Sequence, residues 1–159
     1  MRFKTLFLMV PNTMARTVVL GVIGSDAHVV GITILEQAFS AAGFDVVNLG
    51  VQTSQEDFAE AAKAHDADAV LVSSLYGHAE QDCQGFHDVL ENADVEAVTY
   101  IGGNLAVGQD DFERTRRTFE ELGFDRVFDS ETDPAEAIAA LKRDLQLTTM
   151  EADRAIVSS

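Results

Sequence analysis

The chain contains a single cysteine, Cys83, among its 159 residues, so no disulfide can form within it. One cysteine fits a reducing compartment, and we expect a cytoplasmic protein. No apolar run approaches the roughly 18 residues that a membrane-spanning helix needs. The apolar start at residues 1–10 is too short for a signal peptide and lacks a small-residue cleavage site. The sequence therefore predicts neither a membrane protein nor a secreted one.

Basic residues are also scarce, with 11 against 27 acidic residues and a net charge of −16. Such a surface repels phosphate backbones and anionic lipids, so nucleic acid and membrane surfaces are not expected partners. The acidic residues are spread along the chain rather than gathered in a tail. This pattern is typical of proteins from salt-loving organisms, where high ionic strength screens self-repulsion. An ordinary acidic protein is the alternative.

Apolar runs alternate with amphipathic stretches from Thr17 onward. The run at 17–24 is nearly continuous, which is typical of a strand buried on both faces. Helices are expected between the strands, with a capping box at Thr53-Ser54-Gln55-Glu56 and a single third helix over about 81–91. Further strands are expected at 44–49, 69–72, 97–101 and 126–128.

This alternation predicts an α/β protein with a doubly wound, five-stranded parallel sheet. The size favours the flavodoxin-like (Rossmann-like) strand order 2-1-3-4-5. We expect one domain over residues 17–147. Residues 1–16 would form an extension that is either disordered or upstream of the true start, and residues 148–159 a C-terminal tail.

Ligands of such folds bind beyond the carboxyl ends of the strands, and the loop after the first strand carries Asp26 and His28. A metal-ligating histidine commonly donates its second ring N–H to a carboxylate, which Asp26 could supply. Gly24 and Gly31 keep the backbone thin on either side. A helix cap with a solvated neighbour is the alternative interpretation of this pair.

The loops after the third and fourth strands are also unusual. Ser73 and Ser74 offer two hydroxyl groups that can donate to a ligand or satisfy the next helix. Gly102 and Gly103 indicate either a bulky group close to the backbone or a simple turn. Cys83 and the histidines other than His28 are expected to have no ligand role.

The spacing of these residues forms a three-part pattern. Asp26-x-His28-x-x-Gly31 is followed after 41 residues (32–72) by Ser73-x-Leu75, and after 26 more (76–101) by Gly102-Gly103. This pattern resembles the signature of base-off, histidine-on cobalamin domains. A wider resemblance, from about Thr17 to Leu145, is to the small subunits of glutamate (methylaspartate) mutases. It is carried by residues 19–26, 42–48, 54–58, 72–77 and 123–127.

The resemblance implies roles for individual residues. His28 would be the lower axial ligand of cobalt, in place of the cofactor's dimethylbenzimidazole, and Asp26 would hydrogen-bond its other ring nitrogen. Ser73 would contact the displaced base. The other cofactor-binding positions that it implies are Ser25, Val29, Gly31, Leu75, Tyr76, Gly77, Gly102, Gly103 and Asn104.

The resemblance also implies an activity and a partner. The family uses adenosylcobalamin in a radical isomerisation between L-glutamate and threo-3-methylaspartate. Its substrate pocket lies in a large barrel-shaped subunit, and two copies of each subunit would form a heterotetramer. The chain alone would therefore be inactive.

Three other classes share the predicted fold. A signalling receiver needs an aspartate and a lysine where this chain has Ser73 and Asp129. A flavodoxin needs a phosphate-binding first loop, which Asp26 would disfavour. A corrinoid carrier for methyl transfer, or a cobalamin sensor, usually has a helical region before the cobalamin domain, whereas sixteen residues precede the first strand here. These comparisons favour a mutase subunit.

Overall fold

The computed structural model of the chain describes residues 16–24, 29–74, 79–105 and 112–145, with residues 29 and 30 described by their backbone alone. Of the predicted N-terminal extension and C-terminal tail, only Arg16 lies within these ranges.

The described elements alternate between strands and helices. In chain order they are β1 (Thr17–Val22), α1 (Val29–Ala41), β2 (Asp45–Asn48), α2 (Gln55–Ala64), β3 (Ala69–Ser74), α3 (Ala79–Asp82), α4 (Phe86–Asn92), β4 (Val98–Gly103), α5 (Phe112–Leu122), β5 (Arg126–Phe128) and α6 (134–145).

The five strands form one parallel sheet in the order β2-β1-β3-β4-β5, which confirms the predicted topology. Its central strands are buried on both faces, as their apolar sequences require. One row of in-register residues crosses the carboxyl end of the sheet and consists of Val22, Ser73, Gly102 and Phe128. The sheet thereby brings the ends of the candidate-site strands side by side.

Two apolar clusters cover the faces of the sheet. One packs α1 and α6 against it, through Ile32, Phe39 and Leu141 among others. The second packs α2, α4 and α5 against the opposite face, through residues such as Phe58 and Phe86. Because α1 and α6 share one face, they can form the two walls of a ligand site at the sheet's carboxyl edge.

Two local predictions were wrong. The capping box of α2 is formed by Ser54 and Asp57, one residue later than predicted, because Ser54 accepts from the Asp57 amide and Asp57 from the Ser54 amide. The single predicted third helix is two short helices, because Gly85 adopts a left-handed conformation (φ 78°) that interrupts helical hydrogen bonding.

Candidate functional site at the carboxyl edge of the sheet

A cavity of about 270 Å³ lies at the carboxyl edge of the sheet, between α1 and α6. Most of its wall is apolar, and one of the lining residues, Ile34, is 51% exposed. A small set of polar groups borders it on the β5–α6 side. The cavity lies against the carboxyl-terminal halves of the strands, and it includes residues of β1 and β3, between which strand order reverses. Ligands of this fold usually bind near that point.

Four of the predicted site residues line this one cavity. Gly31 comes from the first turn of α1, Ser73 from β3, and Gly102 and Gly103 from the end of β4. A Cβ atom at Gly102 would meet Phe128 only at an ordinary contact distance of 3.5 Å. A larger residue at position 102 would therefore not clash with the protein itself. The absence of a side chain at Gly102 leaves the cavity open beside Phe128.

The neighbouring Ser74 faces the other side of the sheet, because side chains alternate along a strand. Its hydroxyl is fully buried and has no hydrogen-bond partner among the described residues. Ser74 pairs in register with Gly103, so this unsatisfied group lies at the same strand ends as the cavity. An unpaired buried hydroxyl is uncommon in folded proteins.

The other predicted positions either do not line the cavity or lie outside the described residues. Asn104 follows β4, is exposed, and is not one of the cavity-lining residues. Val29 is the first residue of α1. Outside the described residues lie Ser25, Asp26, His28, Leu75, Tyr76 and Gly77.

Several cavity residues were not predicted from the sequence. Tyr100 and Phe128 line the cavity, as do Asp129, which follows β5, and Asp133 and Pro134, where α6 begins. Tyr100 could have been found by alternation, because it lies two residues before Gly102 on the same strand and therefore on the same face. The β5–α6 residues carry no comparable signal, since they reach the cavity only through the way α6 packs.

The carboxylates on this side are engaged locally. Asp129 accepts hydrogen bonds from the Glu131 amide at 3.0 Å and the Thr132 hydroxyl at 2.9 Å. Asp133 accepts from the Ala135 amide at 2.9 Å and so caps α6. Both aspartates therefore shape the β5–α6 turn.

A hydrogen-bonded cluster lies below the cavity. The Tyr100 hydroxyl donates to Asp144, and Arg126 donates to both oxygens of the same carboxylate, with Nε–Oδ2 and Nη2–Oδ1 distances of 2.7 and 2.8 Å. Burial and the Asp144 carboxylate raise the pKa of Tyr100, so its hydroxyl stays protonated. Hydrogen bonds from Arg126 lower the pKa of Asp144, which stays ionised.

Two other chemically capable side chains lie away from the cavity. Burial and the nearby Asp82 raise the pKa of the Cys83 thiol to about 12, so it is not a nucleophile at neutral pH. His87 is half-buried rather than at the surface, and its Nε2 lies 3.0 Å from the Thr99 hydroxyl. Its pKa is lowered mainly by burial, so the ring is neutral.

Among the described residues, no group of three or more His, Cys, Asp or Glu side chains is placed to hold a metal ion. The same residues include no helix long and apolar enough to span a membrane.

Residues 16–139 match the family model of the B12 binding domain, so the chain belongs to the B12-binding class of α/β domains. A cobalamin-binding protein from Desulfitobacterium hafniense has the same fold, with a TM-score of 0.67 and 21% identity over 82% of this chain and 59% of that one.

Closer relatives define the family. The chain is 72% identical over 141 residues to glutamate mutase sigma subunit 1 of Haloarcula marismortui, covering 89% of this chain and 93% of that one. It is 61% identical over 131 residues to the glutamate mutase sigma subunit of Halobacterium salinarum, covering 82% and 88%. The chain therefore belongs to the glutamate mutase sigma-subunit family.

Proposed function

We propose that this chain is the cobalamin-binding subunit of glutamate mutase and that the cavity between α1 and α6 receives the nucleotide tail of the cofactor. The observation that carries the proposal is that Gly31, Ser73 and the Gly102–Gly103 pair, from three separate parts of the chain, line one cavity. The 72% identity with a sigma subunit supports the same assignment.

The residues present fit such a ligand. A flat aromatic base needs a narrow apolar slot with a few polar groups that fix its orientation. The cavity offers apolar walls on α1 and α6, the Ser73 hydroxyl, and free space beside Gly102 where a side chain would otherwise project.

His28 and Asp26 would hold the cobalt on the adjoining loop. In the chain these two residues stand between β1, which ends at Val22, and α1, which begins at Val29, and Gly31 in the first turn of α1 lines the cavity. We propose that His28 is the lower axial ligand and that Asp26 accepts a hydrogen bond from its other ring nitrogen. When bound, adenosylcobalamin supplies radical chemistry through homolysis of its cobalt–carbon bond.

The reaction would be the interconversion of L-glutamate and threo-3-methylaspartate. A sigma subunit by name is one part of an assembly, and the family resemblance implies a large barrel-type partner that contains the substrate pocket. We propose a cytoplasmic heterotetramer with two copies of each subunit. The isolated chain would then bind cofactor without turning over substrate.

An isotope experiment tests the axial ligand. The complex with the large subunit is loaded with cofactor carrying ¹⁵N in its own base, and the cobalt(II) electron paramagnetic resonance spectrum is recorded. No change in hyperfine splitting is expected from this label, whereas ¹⁵N-histidine in this chain should change it. His28→Ala should abolish the histidine effect and His78→Ala should preserve it. A splitting that responds to the label in the cofactor's base would exclude His28 as ligand.

A further inference from the structure

The cluster of Tyr100, Asp144 and Arg126 joins three elements around the cavity. Tyr100 is on β4, Arg126 begins β5, and Asp144 is in the last turns of α6. We name it the α6 clasp. Arg126 holds the Asp144 carboxylate with two parallel hydrogen bonds, and the Tyr100 hydroxyl donates to it as a third. Two-pronged arginine–carboxylate pairs fix geometry as well as charge.

Tyr100 also reaches the cavity. It is 2% exposed, lies among apolar side chains on the α1 and α6 face, and lines the cavity directly. It stands two residues before Gly102, about 6.6 Å deeper in the sheet by ordinary strand geometry. Phe128 packs against its ring at a centroid distance of 5.4 Å. The ring is therefore held from the side by Phe128 and at its hydroxyl end by the clasp.

The clasp also fixes the cavity's second wall. Pro134 and Ala137, near the start of α6, line the cavity, while Asp144 lies two helical turns beyond Ala137. Two turns span roughly 10.5 Å. Anchoring Asp144 to β4 and β5 therefore sets the angle at which α6 crosses the sheet and, with it, the width of the cavity.

A tyrosine is not needed here for packing alone. The surrounding cluster is apolar, and burying a hydroxyl in it is unfavourable unless the hydroxyl is hydrogen-bonded. The clasp satisfies that hydroxyl and leaves the ring a single orientation. The arrangement constrains an aromatic ring that lines the cavity on the same strand as Gly102.

We propose that the α6 clasp makes Tyr100 a positioning residue for the cofactor's nucleotide tail: it holds the Tyr100 ring and the α6 wall at the spacing that the tail's aromatic base requires. This inference rests on the proposed function, because it takes the cavity as the tail site. The clasp would make the site selective for cofactors that carry the nucleotide tail, because a corrinoid without the tail would not contact the Tyr100 ring.

The test compares adenosylcobalamin with adenosylcobinamide, which lacks the nucleotide tail. Tyr100→Phe keeps the ring and removes the hydroxyl, and Arg126→Lys keeps the charge and removes the two-pronged contact. Arg116→Lys is the matched control, because Arg116 makes similar contacts with Glu113 and Glu120 on α5, which packs on the opposite face. Dissociation constants are measured by calorimetry on the full chain in molar KCl, with thermal midpoints recorded alongside.

Tyr100→Phe and Arg126→Lys should each weaken adenosylcobalamin binding about 3- to 10-fold, the effect of losing one hydrogen bond. Adenosylcobinamide binding should be unchanged in both, and Arg116→Lys should alter neither ligand. An equal loss for both ligands, or no loss, would overturn the positioning role. If the unmodified chain binds adenosylcobalamin no more tightly than adenosylcobinamide, the proposal that the cavity binds the nucleotide tail is wrong. A preference for adenosylcobalamin that is as large in both variants as in the unmodified chain refutes the clasp alone.

Discussion

The imidazole of His87 occupies the space that a side chain at Gly123 would need. A Cβ atom at position 123 would lie 2.6 Å from Cγ of His87, closer than real Cβ contacts. The glycine also has a φ of 120°, a conformation that side chains disfavour. Gly123 directly follows α5, so this contact joins the end of α5 to α4.

Gly123→Ala should be strongly destabilising because it adds both strain and a clash. Gly43 supplies the control, since it also follows a helix with positive φ (102°) but has no atom within 4 Å of an added Cβ. We expect Gly43→Ala to lower the free energy of unfolding by about 1–3 kcal/mol through backbone strain. Gly123→Ala should lower it by about 1–3 kcal/mol more through overpacking. Chemical denaturation in molar salt measures both, and equal losses would contradict the contact.

His87 should make stability fall as the solution is acidified. Its pKa in the folded chain is lowered from 6.5, chiefly by burial, while Asp125, the Leu122 carbonyl and Asp88 oppose the shift. Below pH 6.5 the unfolded chain takes up the proton before the folded one does, so the contribution present above that pH is lost as pH falls through the folded-state value. His87→Gln should remove this component.

The readout is the difference in unfolding free energy between the parent chain and His87→Gln, measured from pH 8 to pH 5. Taking the difference cancels the relief of acidic repulsion that the whole chain experiences on acidification. A His87→Gln difference independent of pH would show that the ring does not titrate differently on folding.

The fold could be predicted because the strands are apolar runs that are recognisable in the sequence. β5 spans Arg126–Phe128 as predicted, since an apolar run between a glycine-ended helix and a polar turn admits little else. The errors are local. The sequence admits a capping box at Thr53 or at Ser54. Ser54 forms it, because Thr53 instead pairs with Ile23 in an isolated parallel bridge just beyond β1.

The sequence predicted which residues of the candidate site lie together where they stand near the ends of strands. Ser73 and Gly102 could be placed together because parallel strands finish at one edge. Tyr100 and Asp144 could not be linked, since they are 44 residues apart and meet only through the packing of α6. Long-range contacts of this kind depend on helix position, which local patterns do not encode.

The acidic composition predicts that the stability of the fold depends strongly on salt concentration. The similarity to proteins of Haloarcula and Halobacterium agrees with this prediction. A net charge of −16 destabilises the compact state by self-repulsion, and the screening length falls from about 10 Å at 0.1 M to about 3 Å at 1 M. The thermal midpoint should therefore rise between dilute buffer and molar KCl. A midpoint that stays constant or falls over this range would contradict the expectation.

Filling the cavity at Gly102 should separate cofactor binding from folding. Gly102 does not have a positive φ, and an added Cβ would make only an ordinary contact with Phe128 at 3.5 Å, so valine suits this strand position. Its methyl groups would project where the cofactor's tail is proposed to lie. Gly102→Val should keep the parent's thermal midpoint, weaken adenosylcobalamin binding by about tenfold or more, and spare adenosylcobinamide. Gly102→Ala should give a smaller loss in the same direction. A Gly102→Val chain that is stable and binds adenosylcobalamin normally would place the tail outside this cavity.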